Sequence, residues 1–100
     1  MTTKIYTVSE IQKLLLPIFL EYDIKRAVLF GSYGKSLATA SSDVDLLVDS
    51  GLRGLRFIGL SEKVREVLDK DVDIFDITHI EPHSKIDYEI KNTGVLLYEK

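Results

Sequence analysis

Apolar residues recur at helical spacing in two segments of the chain and crowd into short runs in several others. The first helical stripe is Ile11, Leu14, Leu15, Ile18 and Phe19. It follows Thr7-Val8-Ser9-Glu10, a capping box in which Thr caps the helix start and Glu reaches back to the cap. Pro17 falls inside the stripe and predicts a kink or a split. RAVLF, Arg26 to Phe30, reads as a first strand, buried on both faces because nearly every position is apolar. Gly31-Ser32 ends it, and a short helix is expected over Tyr33 to Ala38. VDLLVD, Val44 to Asp49, reads as a second strand, with Gly51 and Gly54 in the turn beyond.

The second helical stripe spans Leu55 to Leu68. Phe57, Leu60, Val64, Val67 and Leu68 share one face, and Glu62, Lys63, Arg65 and Glu66 face water. Asp71 to Ile77 reads as a third strand. Glu81-Pro82 suits a helix start, with the helix running to Lys91 and stopping at Asn92-Thr93-Gly94. Val95 to Tyr98 is a short terminal strand or an extended tail. The order α-β-α-β-α-β-α predicts an α/β (α+β) fold, a small mixed sheet covered by helices. One hundred residues suit one domain over 1–100, without repeat or linker.

Composition narrows the function. With 45% hydrophobic and 29% charged residues the chain is that of a soluble globular protein. A net charge of −3 argues against a sequence-independent grip on nucleic acid. It leaves room for a nucleotide carried in with its own metal ions. No apolar run is long enough to cross a membrane, and the N-terminus lacks a signal-peptide core. The absence of Cys removes disulfides and thiolate metal sites and fits a cytoplasmic setting.

Two signals sit close together in FGSYGKSLATASSDVDLLVD. Gly34-Lys35-Ser36 looks like the tail of a P-loop, but that motif needs a glycine at the position of Leu29, inside an apolar strand. What survives is Gly31-Ser32, between a buried strand and a helix. It reads either as an ordinary turn or as a phosphate cradle. Asp43 and Asp45 are alternate residues near a strand start, so their carboxylates share a face. Two such charges repel unless a cation lies between them, and Mg²⁺ takes one or two carboxylates together with phosphate oxygens. Asp73 joins them if the second and third strands are neighbours. Asp71 shares its face and Asp76 points the other way. A calcium loop of the EF-hand kind fits poorly, since its fifth and sixth positions would be Leu47 and Val48.

Gly31-Ser32, ten residues, then Asp43-Val44-Asp45 resembles the signature of the DNA polymerase β-like nucleotidyltransferases, and the chain looks most like their smallest members, the minimal nucleotidyltransferases (MntA-like). LFGS, SDVDLLV, VDIFD and the closing VLLYE fall in the family's order, so the resemblance covers nearly the whole chain. It departs at Gly34 and Ser36, where Ala and Gly are frequent. The resemblance implies the family fold and the transfer of a nucleoside monophosphate, AMP from ATP or another NTP, with pyrophosphate leaving. It implies two Mg²⁺ ions on Asp43, Asp45 and Asp73, with Asp73 also accepting the acceptor's proton. Gly31, Ser32 and Lys35 would hold the phosphates. So short a chain has little room for a substrate domain. The resemblance therefore implies an acceptor on a partner, a HEPN-type toxin whose tyrosine hydroxyl receives AMP, with this chain as antitoxin of a type VII toxin–antitoxin pair. Homo- and hetero-oligomers both stay open.

A second reading is an interaction module that neutralises a toxin by contact alone, against which the three intact acids argue. His79 and His83 have zinc-like spacing, but Pro82 stands between them and no third ligand follows; exposed or capping roles fit better. Tyr33 serves either base stacking or packing.

Overall fold

The computed structural model describes residues 5–34, 38–39 and 42–100. Four strands form one sheet in the order β3-β2-β1-β4: β1 Arg26–Phe30, β2 Val44–Asp49, β3 Val72–Asp76 and β4 Val95–Glu99. β1 is antiparallel to both β2 and β4, while β2 and β3 run parallel, so the sheet is mixed. The helices are α1 Val8–Glu21, α2 Gly31–Gly34, α3 Leu55–Leu68 and α4 Lys85–Thr93.

The core lies between one sheet face and the helix pair α1 and α3. Ile11, Leu15 and Phe19 meet Leu60, Val64 and Leu68 there, over Ala27, Leu29, Val44, Leu46 and Val48 from the strands. The alternation of β2 sets this arrangement. Val44, Leu46 and Val48 are buried beneath the helices, so Asp45, Leu47 and Asp49 look out from the opposite face. β1 has no such alternation because Val28 and Phe30 are buried on that second face too, Val28 beneath the end of α4. The Tyr6 hydroxyl donates to the Leu68 carbonyl at 2.6 Å and pins the segment before α1 to the end of α3.

The capping box of α1 is formed, with Glu10 N–H donating to Thr7 Oγ1 at 3.0 Å and Thr7 N–H to Glu10 Oε1 at 2.9 Å. Pro17 does not split the helix, which runs unbroken for 14 residues. Lys13 and Pro17 both face solvent, so the carbonyl deprived of its N–H partner is free to bond water. Leu14 and Val67, expected on the buried faces, are about two-fifths exposed, at 39% and 40%. Both helices rest on the sheet by a stripe narrower than their apolar arcs.

The largest departure lies before α4. The helix begins at Lys85 rather than at Glu81-Pro82, and a 3-10 turn over Ile77–His79 fills part of the gap. Local capping decides this. Asp76 caps the 3-10 turn through Thr78 N–H at 3.0 Å. Ser84 caps α4 through Asp87 N–H at 3.2 Å, while Asp87 Oδ2 accepts from His83 N–H at 2.9 Å. Val95 to Glu99 is a true strand, so the connection from β3 to β4 carries α4 across the outer face of the sheet from one edge to the other. The short helix after β1 starts at Gly31, two residues before the sequence places it.

Candidate active site

Parallel pairing of β2 and β3 sets Asp45 directly opposite Asp73. Each is the second residue of its strand, and each points away from the helical core. Asp45 is half-buried and Asp73 exposed. Asp43 lies just before β2 and is exposed. Burial pushes the Asp45 carboxyl from 3.8 up to about 6, and the charges of Asp73, Glu89 and Asp43 push in the same direction, in that order. The structure therefore brings the three expected acids near one another, and Asp45 sits at the focus of their repulsion.

Gly31 stands against this carboxylate. Its φ is +71°, and a Cβ there would come within 2.4 Å of Asp45 Oδ2 and 3.4 Å of Glu89 Oε1. Only glycine suits both the left-handed backbone and the close approach. Gly31 N–H donates to Thr93 Oγ1 at 3.0 Å, and the Thr93 hydroxyl donates to the Glu89 carbonyl at 2.7 Å. The turn between β1 and α2 is thus latched to α4. Ser32 is exposed beside it. Lys35, the third expected phosphate ligand, lies outside the described residues. Tyr33 is buried in the core, so packing is its role.

Three further polar residues carry no motif. Glu89 and Thr93 reach the turn only because α4 crosses the sheet. Their spacing of four residues on one helix face was the available signal. Asp76 is the third. It is buried at the far end of β3 and accepts from Ser50 N–H at 3.1 Å, Ser50 Oγ at 2.6 Å, Thr78 N–H at 3.0 Å and Thr78 Oγ1 at 2.7 Å. Burial raises its pKa, but those hydrogen bonds outweigh it and leave the carboxyl below the ordinary value. His79 takes a capping role, its Nδ1 accepting from Asp76 N–H at 3.1 Å, with its ring edge-on to Phe57.

The donor set fits a hard divalent cation. Asp43, Asp45 and Asp73 offer only carboxylate oxygens, and the burial and neighbouring acids that raise the Asp45 pKa are conditions a bound cation would offset. Among the described residues no group of three His, Asp or Glu side chains forms a metal cage. Mg²⁺ takes one or two carboxylates and completes its shell with phosphate oxygens and water.

Residues 13–100 match the family model described as polymerase beta, nucleotidyltransferase. The chain belongs to this nucleotidyltransferase family. A Methanocaldococcus jannaschii protein named as a protein adenylyltransferase is 36% identical over 77 residues, which is 75% of this chain and 83% of that protein. The fold matches a crystal structure of a toxin–antitoxin with AMP-PNP at a TM-score of 0.75 and 22% identity, over 89% of this chain and 73% of that one. It also matches a structure of the tri-AMPylated Shewanella oneidensis HEPN toxin in complex with MNT antitoxin, at a TM-score of 0.70 and 19% identity, over 94% of this chain and 74% of that one. The expected mixed fold and nucleotidyltransferase activity both stand. Among the described residues no helix is long and apolar enough to cross a membrane.

Proposed function

We propose that this nucleotidyltransferase moves AMP from ATP to a hydroxyl on a partner polypeptide, with Mg²⁺ as cofactor. The observation that carries this reading is the pairing of Asp45 with Asp73 beside the Gly31-Ser32 turn. The 36% identical relative named as a protein adenylyltransferase supports the reaction class. The toxin–antitoxin structures, one with AMP-PNP and one with an AMPylated HEPN toxin, support ATP as donor and a HEPN-type toxin as acceptor. In that pairing the chain is the antitoxin, and a cytoplasmic setting goes with ATP as donor.

Asp43 and Asp45 would hold Mg²⁺, and Asp73 would complete the set. When bound, the metal screens the phosphate oxygens and lowers the pKa of the attacking hydroxyl. Gly31 and Ser32, with Lys35, steady the β- and γ-phosphates. The acceptor oxygen attacks the α-phosphorus and forms a new P–O bond. The bond to the bridging oxygen breaks, and pyrophosphate leaves with its electron pair. Asp73, on the acceptor side, takes the hydroxyl proton. The Asp45 carboxylate must be ionised for this, and a cation beside it favours that form.

The test is incubation with α-labelled ATP, Mg²⁺ and a co-expressed HEPN-type partner. Label should appear on the partner and fall by at least about a hundredfold in Asp43→Ala, Asp45→Asn and Asp73→Asn. A partner that stays unlabelled with the unaltered chain, yet is still bound and neutralised, would establish the interaction module instead.

A further inference from the structure

The outer sheet face carries the acids and, further along β2 and β3, the apolar floor of a trough. Asp45 and Leu47 are alternate residues of β2, Asp73 and Phe75 of β3, and each pair is matched across the strands. Leu47 and Phe75 therefore lie on the same face as the acids, one repeat further along, about 7 Å away. Leu47 opens into a cavity of about 340 Å³ whose other walls are Ile77, Ile80, Pro82 and Ile90, with Asp87 and Lys91 at the rim. Those two rim charges bond each other at 3.0 Å, which leaves the walls apolar.

We infer that this trough seats the acceptor polypeptide, with an apolar side chain of the acceptor filling the Leu47–Ile77–Ile80–Ile90 cavity while its hydroxyl reaches the acid pair. The inference rests on the transfer reading above and adds where the acceptor chain lies and the apolar residue that anchors it. Direction supports it. Gly31, Asp45 and Asp73 lie on β1's end, β2 and β3, three adjacent strands. An in-line displacement keeps the attacking and leaving oxygens on opposite sides of phosphorus. With the departing phosphates at Gly31, the hydroxyl arrives from the Asp73 side, and the trough lies along β2 and β3 on that side. The lining supports it too. A nucleobase calls for hydrogen-bond partners or a ring to stack on. The cavity itself has no aromatic ring in its lining, Phe75 beside it packs against Phe30, and its two polar side chains are held to each other. An extended chain rises about 3.3 Å per residue, so the apolar residue stands about two to four positions from the hydroxyl.

Glycine-spaced peptides with a central tyrosine and one leucine moved stepwise along them provide the probe, with tyrosinamide as an acceptor too short to reach the cavity. Two variants at exposed or half-exposed wall positions, Ile77→Lys and Ile80→Asp, accompany the unaltered chain. Labelling from ATP should peak at one leucine spacing. In both variants KM for that peptide should rise at least about tenfold, with labelling of tyrosinamide and KM for ATP unchanged. Peptide binding is also followed without turnover, by amide chemical shifts of Leu47, Ile77 and Ile90. Shifts there without any labelling keep the trough and overturn the transfer reading. Labelling that ignores leucine position, or variants that lose tyrosinamide and ATP equally, overturn the trough and leave transfer standing; the second result assigns the cavity to the nucleoside.

Discussion

Asp45 faces Asp73 across the parallel pair β2 and β3, with the backbone of Gly31 closing the space beside the first carboxylate. The folded chain therefore keeps a proton on Asp45 between 3.8 and about 6 that the unfolded chain has already released. Stability falls as pH climbs through that window and stays lower above it. Asp45→Asn removes this term. It should be more stable than the unaltered chain at pH 7.5, with the difference vanishing near the bottom of the window, as read from urea midpoints without metal. Saturating Mg²⁺ with ATP, at 100 times the dissociation constant, should add about 2.7 kcal/mol to the unaltered chain and nothing to the variant.

Gly31→Ala places a methyl group 2.4 Å from Asp45 Oδ2 on a backbone at φ +71°. The left-handed geometry alone costs about 1–2 kcal/mol. The turn and the carboxylate must then move apart. A displacement near 1 Å costs about a hundredfold in rate. Circular dichroism should show a folded protein, and labelled-ATP assays should show that loss.

Thr93 tests the latch. Thr93→Val leaves Gly31 N–H without its acceptor and should destabilise the chain by about 1–3 kcal/mol. Transfer should fall about tenfold, and Thr93→Ser should restore both. Equal activity in the Val and Ser variants would show that the turn holds itself.

Asp76→Ala strands the two N–H and two hydroxyl donors of Ser50 and Thr78 at the other end of β3. A loss of about 2–4 kcal/mol is expected in urea titration. The pH dependence should run opposite to that of Asp45. A depressed carboxyl stabilises the protein above its unfolded pKa, and that stability is lost as pH falls through the folded value.

The helices and strands up to Asp76 were legible because hydrophobic spacing and caps agreed with each other there. α4 was misplaced by four residues at its start because Glu81-Pro82 imitates a helix entry, while the caps that win, Ser84 and Asp87, look ordinary in sequence. The acids were legible because their strands place alternate residues on one face, and family order supplied the neighbouring strand. Glu89 and Thr93 were not, since their part depends on where a later segment crosses the sheet. The burial of Asp76 was hidden for the same reason: a carboxylate in a strand looks solvated until its four donors are known.

The latch between residues 31 and 93 spans 62 positions of chain. Closing so long a loop costs more conformational entropy than joining neighbouring strands. The turn beside the acids is therefore fastened only by a residue laid over it from the far end of the fold, so a change anywhere in the α4 connection reaches the cradle.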